Sequence, residues 1–412
     1  MADKNDNEVL VNEKVNDSDL PKSKSIELQR SFKLFDLILI SIIALLIGLL
    51  IGSLFLKQKT STIYKGTTNS ELIEELISTM DTIKSKSYSD VTDEELISAA
   101  IKGMLGSLGD NYADYFSTSE ANNFEIKMQG SYVGVGCEIA NTVDGKILIM
   151  KVYDKTPAST AGLKAGDIVL EVDGKSVEKW TSDQLSNYIR TGDEIGTVVS
   201  IKVDRNGEEV ILPLTRGYVT LTSAYGEKIE RDGKSIGYIK VDLFALNTYN
   251  QFKDVLNKLE SQNIDSLIID VRDNSGGYLS VATSIISLFL DKNKVIYQLQ
   301  DKDNITKVYS TSKGQKKYNI VVLTNENSAS ASEILAASLK ESYGATLIGK
   351  TTYGKGTVQE TGKLTNGSMI KYTIQNWLTP NGTWIEGKGY TPDIVVDNDE
   401  EILEKAIDYL KK

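Results

Sequence analysis

The stretch Asn319–Ser342, NIVVLTNENSASASEILAASLKES, decides the fold. It opens with an apolar run of strand length, passes through a polar turn, and continues with apolar residues at the spacing of an amphipathic helix. The same strand-then-helix unit recurs on either side. SIGYIKV (235–241) precedes NTYNQFKDVLNKLESQ, SLIIDVR (266–272) precedes YLSVATSIISLFL, and ATLIGKT (345–351) supplies a further strand. Apolar strands alternating with amphipathic helices predict an α/β layer around a largely parallel, buried sheet.

The turn in the quoted stretch also carries chemistry. A serine between strand and helix lies beside the unsatisfied N–H donors of a helix N-terminus, which are aimed to hold an oxyanion. The same letters have a plainer reading, because Ser330 to Glu333 is an S-x-x-E capping box.

Composition narrows the mechanism. The chain has 412 residues, 40% hydrophobic and 25% charged, which is globular composition and predicts two to three domains. A formal charge of −11 argues against a phosphate-tracking surface, so no nucleic-acid partner is expected. The single cysteine, Cys137, excludes an intrachain disulfide framework and a Cys-based zinc site. Histidine is absent, which removes every mechanism with an imidazole base or an HExxH zinc pair. A hydrolase built on this chain must move its proton through lysine, a carboxylate, tyrosine or water.

Toward the N-terminus, residues 1–33 alternate charges and read as a disordered tail. Leu37 to Leu56 is uncharged, LILISIIALLIGLLIGSLFL, and at 1.5 Å per residue reaches about 30 Å. It reads as an uncleaved single-pass anchor over 34–56. Lys22, Lys24, Arg30 and Lys33 before it slightly outweigh Lys57, Lys59 and Lys65 after it, placing the tail in the cytoplasm and the large part of the chain outside. Ser70 to about Phe116 reads as helical, with a T-x-x-E start at Thr92–Glu95.

From about Gly130 to Pro213 short alternating strands carry Asp144-Gly145, Asp173-Gly174 and Asn206-Gly207 turns. Tyr132-Val133-Gly134-Val135-Gly136 followed by TPASTAGLKAGDIVLEVDGKSV resembles a PDZ domain. That resemblance implies that backbone N–H groups of Val133, Gly134, Val135 and Gly136 capture a peptide's terminal carboxylate, while the edge from Cys137 to Ala140 pairs with the peptide.

Two further motifs complete the set. TTYGKGTVQE sets Lys355 between two glycines in a run otherwise free of charge from Thr351 to Gln359, where burial would make it a base. Asp273-Asn274-Ser275-Gly276-Gly277 follows another strand. Each alone is explained by a turn or a solvated lysine. Together with GMLGSLGDNYADYF (103–116) and TPNGTWIEGKGYTPD (379–393), they resemble the carboxyl-terminal processing peptidases, PDZ-containing serine peptidases with a Ser-Lys dyad.

The resemblance covers about residues 70 to 396 and implies a multidomain α+β chain. It joins a single transmembrane helix and a helical cap or dimerisation region (57–117) to a PDZ domain (118–213) and a crotonase- or ClpP-like α/β peptidase core (214–412). It implies Ser330 as nucleophile, with Ser328 and Ser332 as alternatives, Lys355 as base, Gln359 orienting the amine, and N–H groups of Gly276 and Ala331 as the oxyanion hole. Arg190 falls where the family couples peptide binding to activation. No cofactor or metal is implied. The implied partners are protein or peptide substrates with a free C-terminus, the membrane, a second copy in a homodimer, and a regulator the sequence does not identify. A silent PDZ scaffold on the same body, and acyl transfer on a crotonase-like core, are the competing expectations. Gly344–Thr351 satisfies the phosphate-loop pattern G-x-x-x-x-G-K-[ST], but the helix that pattern needs cannot follow Thr352-Tyr-Gly-Lys-Gly.

Overall fold

A computed structural model describes residues 70–190, 194–311 and 317–411. The predicted tail, membrane anchor and first part of the helical region lie outside the described residues; among the described residues no helix is long and apolar enough to cross a membrane. The chain divides at Asp90 into two units. In the first, the helix Ser70–Lys86 buries none of its residues and leaves Leu72, Leu76 and Ile77 exposed.

The second unit begins with the helix Asp93–Gly106, whose start is a reciprocal capping box: Glu95 N–H donates to Thr92 Oγ1 and Thr92 N–H to Glu95 Oε2. The predicted helical region does not continue to Phe116. Gly106 ends the helix, and Asp114–Phe116 becomes a short strand antiparallel to Met369–Lys371. Pairing with a distant strand prevails there over local periodicity.

Residues 137–215 form a five-stranded antiparallel sheet in chain order, Cys137–Asn141, Ile147–Val152, Ile168–Val172, Val198–Arg205 and Glu208–Thr215, with Lys175–Ser176 paired alongside. Its apolar face closes over the helices Pro157–Thr160 and Ser182–Arg190, burying Leu185, Ile189, Val199 and Leu214. Gly136 shows why glycine stands in the loop before this sheet: its φ is +87°, and a Cβ there would meet Thr156 at 2.4 Å.

The core domain holds a six-stranded sheet in the order Ala224–Arg231, Lys234–Val241, Ser266–Asp270, Asn319–Thr324, Thr346–Gly349, Ile394–Val395. Only the first pair is antiparallel; the others are parallel, as the strand-helix alternation predicts. Every residue of Ser266–Asp270 is buried, and so is Asn319–Thr324 apart from its first residue, because helices cover both faces. Thr248–Ser261, Leu279–Ile286 and Ala331–Ser338 pack in one apolar cluster, and Asp399–Leu410 packs in another. A second, antiparallel sheet is built around Met369–Leu378, which pairs with Thr357–Lys363, Val295–Gln300 and Asp114–Phe116. The loop carrying Lys355 leaves the first sheet and enters the second.

Candidate active site

Ser330 stands between the strand Asn319–Thr324 and the helix Ala331–Ser338. Its φ of 55° and ψ of −115° are sterically disfavoured for any residue with a Cβ and cost on the order of 1–3 kcal/mol. The surroundings over-determine that conformation. Ser330 N–H donates to Glu333 Oε2 at 2.7 Å, and Ala329 N–H donates to Asn274 O at 3.0 Å. Asn325 and Asn327 each donate from Nδ2 to Asp273 Oδ1 at 2.9 Å, while Asp273 N–H donates to Asn325 Oδ1. The 273–277 and 325–330 turns are thereby fastened side by side.

The structure separates the three candidate serines. Ser328 and Ser332 are fully buried, and their hydroxyls donate at 2.8 Å to Val271 O and Asn274 O. Ser330 is partly exposed, and its hydroxyl does not donate to a buried carbonyl as those two do. Of the three, Ser330 alone is not buried.

Glu333 is the residue the sequence reading undervalued. It does cap Ser330, yet its buried carboxylate also accepts Thr352 Oγ1 at 2.6 Å, Gly354 N–H at 2.7 Å and Lys355 N–H at 2.9 Å. One carboxylate therefore joins the backbones of Ser330 and Lys355. Burial raises its pKa above the ordinary carboxyl range against the pull of these donors. The lysine loop has a second clamp in Glu386, whose Oε2 accepts Gly356 N–H at 2.6 Å. Trp377 Nε1 and Trp384 Nε1 donate to the carbonyls of Lys355 (2.7 Å) and Gly356 (3.1 Å).

The Lys355 side chain is half-buried. Desolvation, with the Lys371 charge adding to it, holds its pKa below the ordinary lysine value. Its Nζ lies 4.8 Å from the centre of the Tyr112 ring and makes no hydrogen bond to Ser330 Oγ. Gln359 sits on the neighbouring strand, but its Nε2 donates to Thr357 Oγ1 (2.7 Å) and Thr373 Oγ1 (3.1 Å), and no bond joins it to the lysine amine. Of the two oxyanion donors, Ala331 N–H opens the helix after Ser330. Gly276 packs against Ser330 so closely that a Cβ would lie 2.9 Å from the serine Cβ, but its N–H donates to Asn274 Oδ1 at 2.9 Å. The serine and lysine backbones are thus brought together, while the amine, Gln359 and Gly276 N–H each have other partners.

At the edge of the 137–215 sheet, Tyr132, Gly134, Val135, Gly136, Cys137 and Arg190 line one small cavity of about 30 Å³, room for roughly one water. Arg190 Nη1 donates to Asn123 Oδ1 at 3.2 Å and its guanidinium lies 5.8 Å from the Tyr132 ring centre. The phosphate-loop lookalike is no cradle: Thr346–Gly349 is a strand, and Lys350 pairs with Asp399 and Glu326.

Comparison with known proteins follows the same divisions. Peptidase family S41 matches residues 235–396, a PDZ domain matches 129–214, and the N-terminal domain of the activating protease CtpB matches 55–119. Carboxy-terminal processing protease CtpA of Bacillus subtilis (strain 168) is 34% identical over 89% of this chain and 78% of its own length. The chain belongs to the carboxy-terminal processing peptidase family. Carboxy-terminal processing protease CtpB of the same organism is 36% identical over 76% of this chain, which spans 65% of that relative's length. A probable CtpA-like serine protease of Staphylococcus aureus (strain COL) is 31% identical over 92% of this chain and 75% of its own.

Family membership agrees with a serine-type peptidase that carries a PDZ domain. The sequence reading missed the roles of Asn274, Asn325, Glu386 and Tyr112. Glu386 and Tyr112 both lie within stretches that carried the resemblance, but nothing in their spacing aims them at Lys355.

Proposed function

We propose that the chain is a membrane-anchored serine endopeptidase that cuts proteins near or from their C-terminus, with Ser330 as nucleophile and Lys355 as base. The observation that carries this reading is Glu333, which fastens Ser330 N–H and Lys355 N–H to one buried carboxylate. The PDZ groove takes the free carboxyl end of a substrate, and Arg190 relays its occupancy. Rotation of the Lys355 side chain from Tyr112 toward Ser330 forms the dyad. The neutral amine then takes the Ser330 proton as Oγ adds to the peptide carbonyl, and Gln359 steadies the amine. Ala331 N–H receives the oxyanion, joined by Gly276 N–H when Asn274 releases it. The lysine ammonium gives that proton to the leaving amine; the lysine amine, neutral again, then deprotonates the water that attacks the acyl-enzyme and passes the proton to the departing Ser330 Oγ.

The apolar run at 34–56 anchors the chain with the tail inside and the peptidase outside, and the helical region at 57–117 pairs two copies.

A fluorophosphonate label tests the chemistry. Wild type is expected to be labelled at Ser330, with labelling lost in Lys355→Ala and cleavage of an unfolded substrate lost in Ser330→Ala. Equal labelling of wild type and Lys355→Ala would refute the dyad. Absence of both labelling and cleavage with intact peptide binding would favour a silent PDZ scaffold.

A further inference from the structure

Tyr112 has no part in the chemistry proposed above, yet it is the group against which the Lys355 amine rests. It arrives on the segment after the helix Asp93–Gly106, and that segment is tied to the core at several points. Asp110 Oδ1 accepts Tyr112 N–H at 2.9 Å and Asp110 Oδ2 accepts Thr373 N–H at 2.8 Å. Asp114–Phe116 then pairs with Met369–Lys371.

Tyr112 Oη donates to Glu386 Oε1 at 2.9 Å, and the other oxygen of that carboxylate holds Gly356 N–H. The ring is thus anchored to the backbone of the residue that follows Lys355. Tyr112 also lines a cavity of about 530 Å³, together with Asp110, Thr357, Thr373, Glu386 and Lys302 but without Lys355. The ring therefore touches both the amine, at 4.8 Å from its centre, and that space.

We propose that Tyr112 is a positioning residue for peptide hydrolysis, its ring sealing the Lys355 amine from water and holding it within a rotation of Ser330. This rests on Lys355 being the base. A positive ammonium is attracted to a tyrosine face, but that face also displaces the water that would otherwise stabilise the charge. The other ionisable groups around the amine are Lys371, which disfavours its charged form, and Glu386, Asp110 and Glu333, which favour it. Removing the ring admits water from the cavity without altering these charges, so the amine keeps its proton to higher pH.

The test is the rate of fluorophosphonate labelling of Ser330 against pH, measured on the full chain for wild type, Tyr112→Ala, Tyr112→Leu and Tyr112→Phe. Tyr112→Ala is expected to label about tenfold more slowly on the acid limb, to reach the wild-type plateau within about twofold at high pH, and to carry its limb to higher pH. Tyr112→Leu, which preserves apolar volume if the alanine variant folds poorly, should move the limb in the same direction by less. Tyr112→Phe keeps the ring, so its limb should stay with wild type. An unmoved limb in both Tyr112→Ala and Tyr112→Leu overturns the proposal, whether the rate falls uniformly or rises at every pH as release of a lock would give. If wild type has no acid limb, or Lys355→Ala labels like wild type, it is the Ser-Lys reading that fails.

Discussion

The serine turn and the lysine loop are organised by opposite means. Around Ser330 the backbone is forced into a costly conformation and pinned by amide and carboxylate bonds from the 273–277 turn. Around Lys355 three successive N–H groups, Gly354 to Gly356, are accepted by two carboxylates, and the side chain itself is left to lie on Tyr112. Ser330 is fixed by its main chain; Lys355 is delivered on a fixed main chain, with its side chain turned to Tyr112.

The sharpest break in that comparison is at Ser330. Ser330→Ala should lower turnover by on the order of 10⁴-fold or more, with little change in melting temperature. Ser330→Gly should be as inactive yet more stable than Ser330→Ala by about 1 kcal/mol in urea unfolding, since glycine enters the φ > 0 conformation freely. If glycine gives no gain, the turn is not strained. Glu333→Gln breaks both halves together. An amide NH₂ would replace one acceptor among four donors, so stability should fall by about 3 kcal/mol and kcat by more than tenfold.

The lysine half alone is read by pH. Because the folded amine has a pKa below that of an ordinary lysine, kcat/KM should rise with pH on a limb lying below the ordinary lysine range, about tenfold per unit along it. A limb at the value of a solvated lysine would contradict the buried base. Ser328→Ala and Ser332→Ala should keep activity within several-fold while losing about 1 kcal/mol, because each removes one buried hydrogen bond from a carbonyl that keeps a backbone donor. The smallest effect is expected from Arg190→Ala: a few-fold rise in KM for substrates with a free carboxyl terminus and none for their amidated forms, measured side by side.

Much of this was legible in the chain. The strand-helix grammar from 235 to 351 predicted the parallel sheet, since apolar runs of strand length leave few other ways to be buried. The lack of histidine and the SASAS and YGKG motifs pointed to a serine and a lysine. Sequence could not choose between Ser328, Ser330 and Ser332, because what separates them is which hydroxyl finds a carbonyl across the turn. Nor could it show that Asp114–Phe116 leaves the helix, since its partner strand begins more than 250 residues later in the chain. Glu333 looked like a cap because three-residue spacing is all that a sequence displays of it.

What the sequence by itself determined is the motifs that offer a serine and a lysine and the layers that carry them, because composition and local periodicity act over a few neighbouring residues. Only the tertiary structure decided which serine is open, what shields the lysine, and that the amine lies on an aromatic ring rather than against the serine hydroxyl. Those outcomes depend on burial and on hydrogen bonds between segments far apart in the chain, and such contacts exist only once the two sheets have closed around the site.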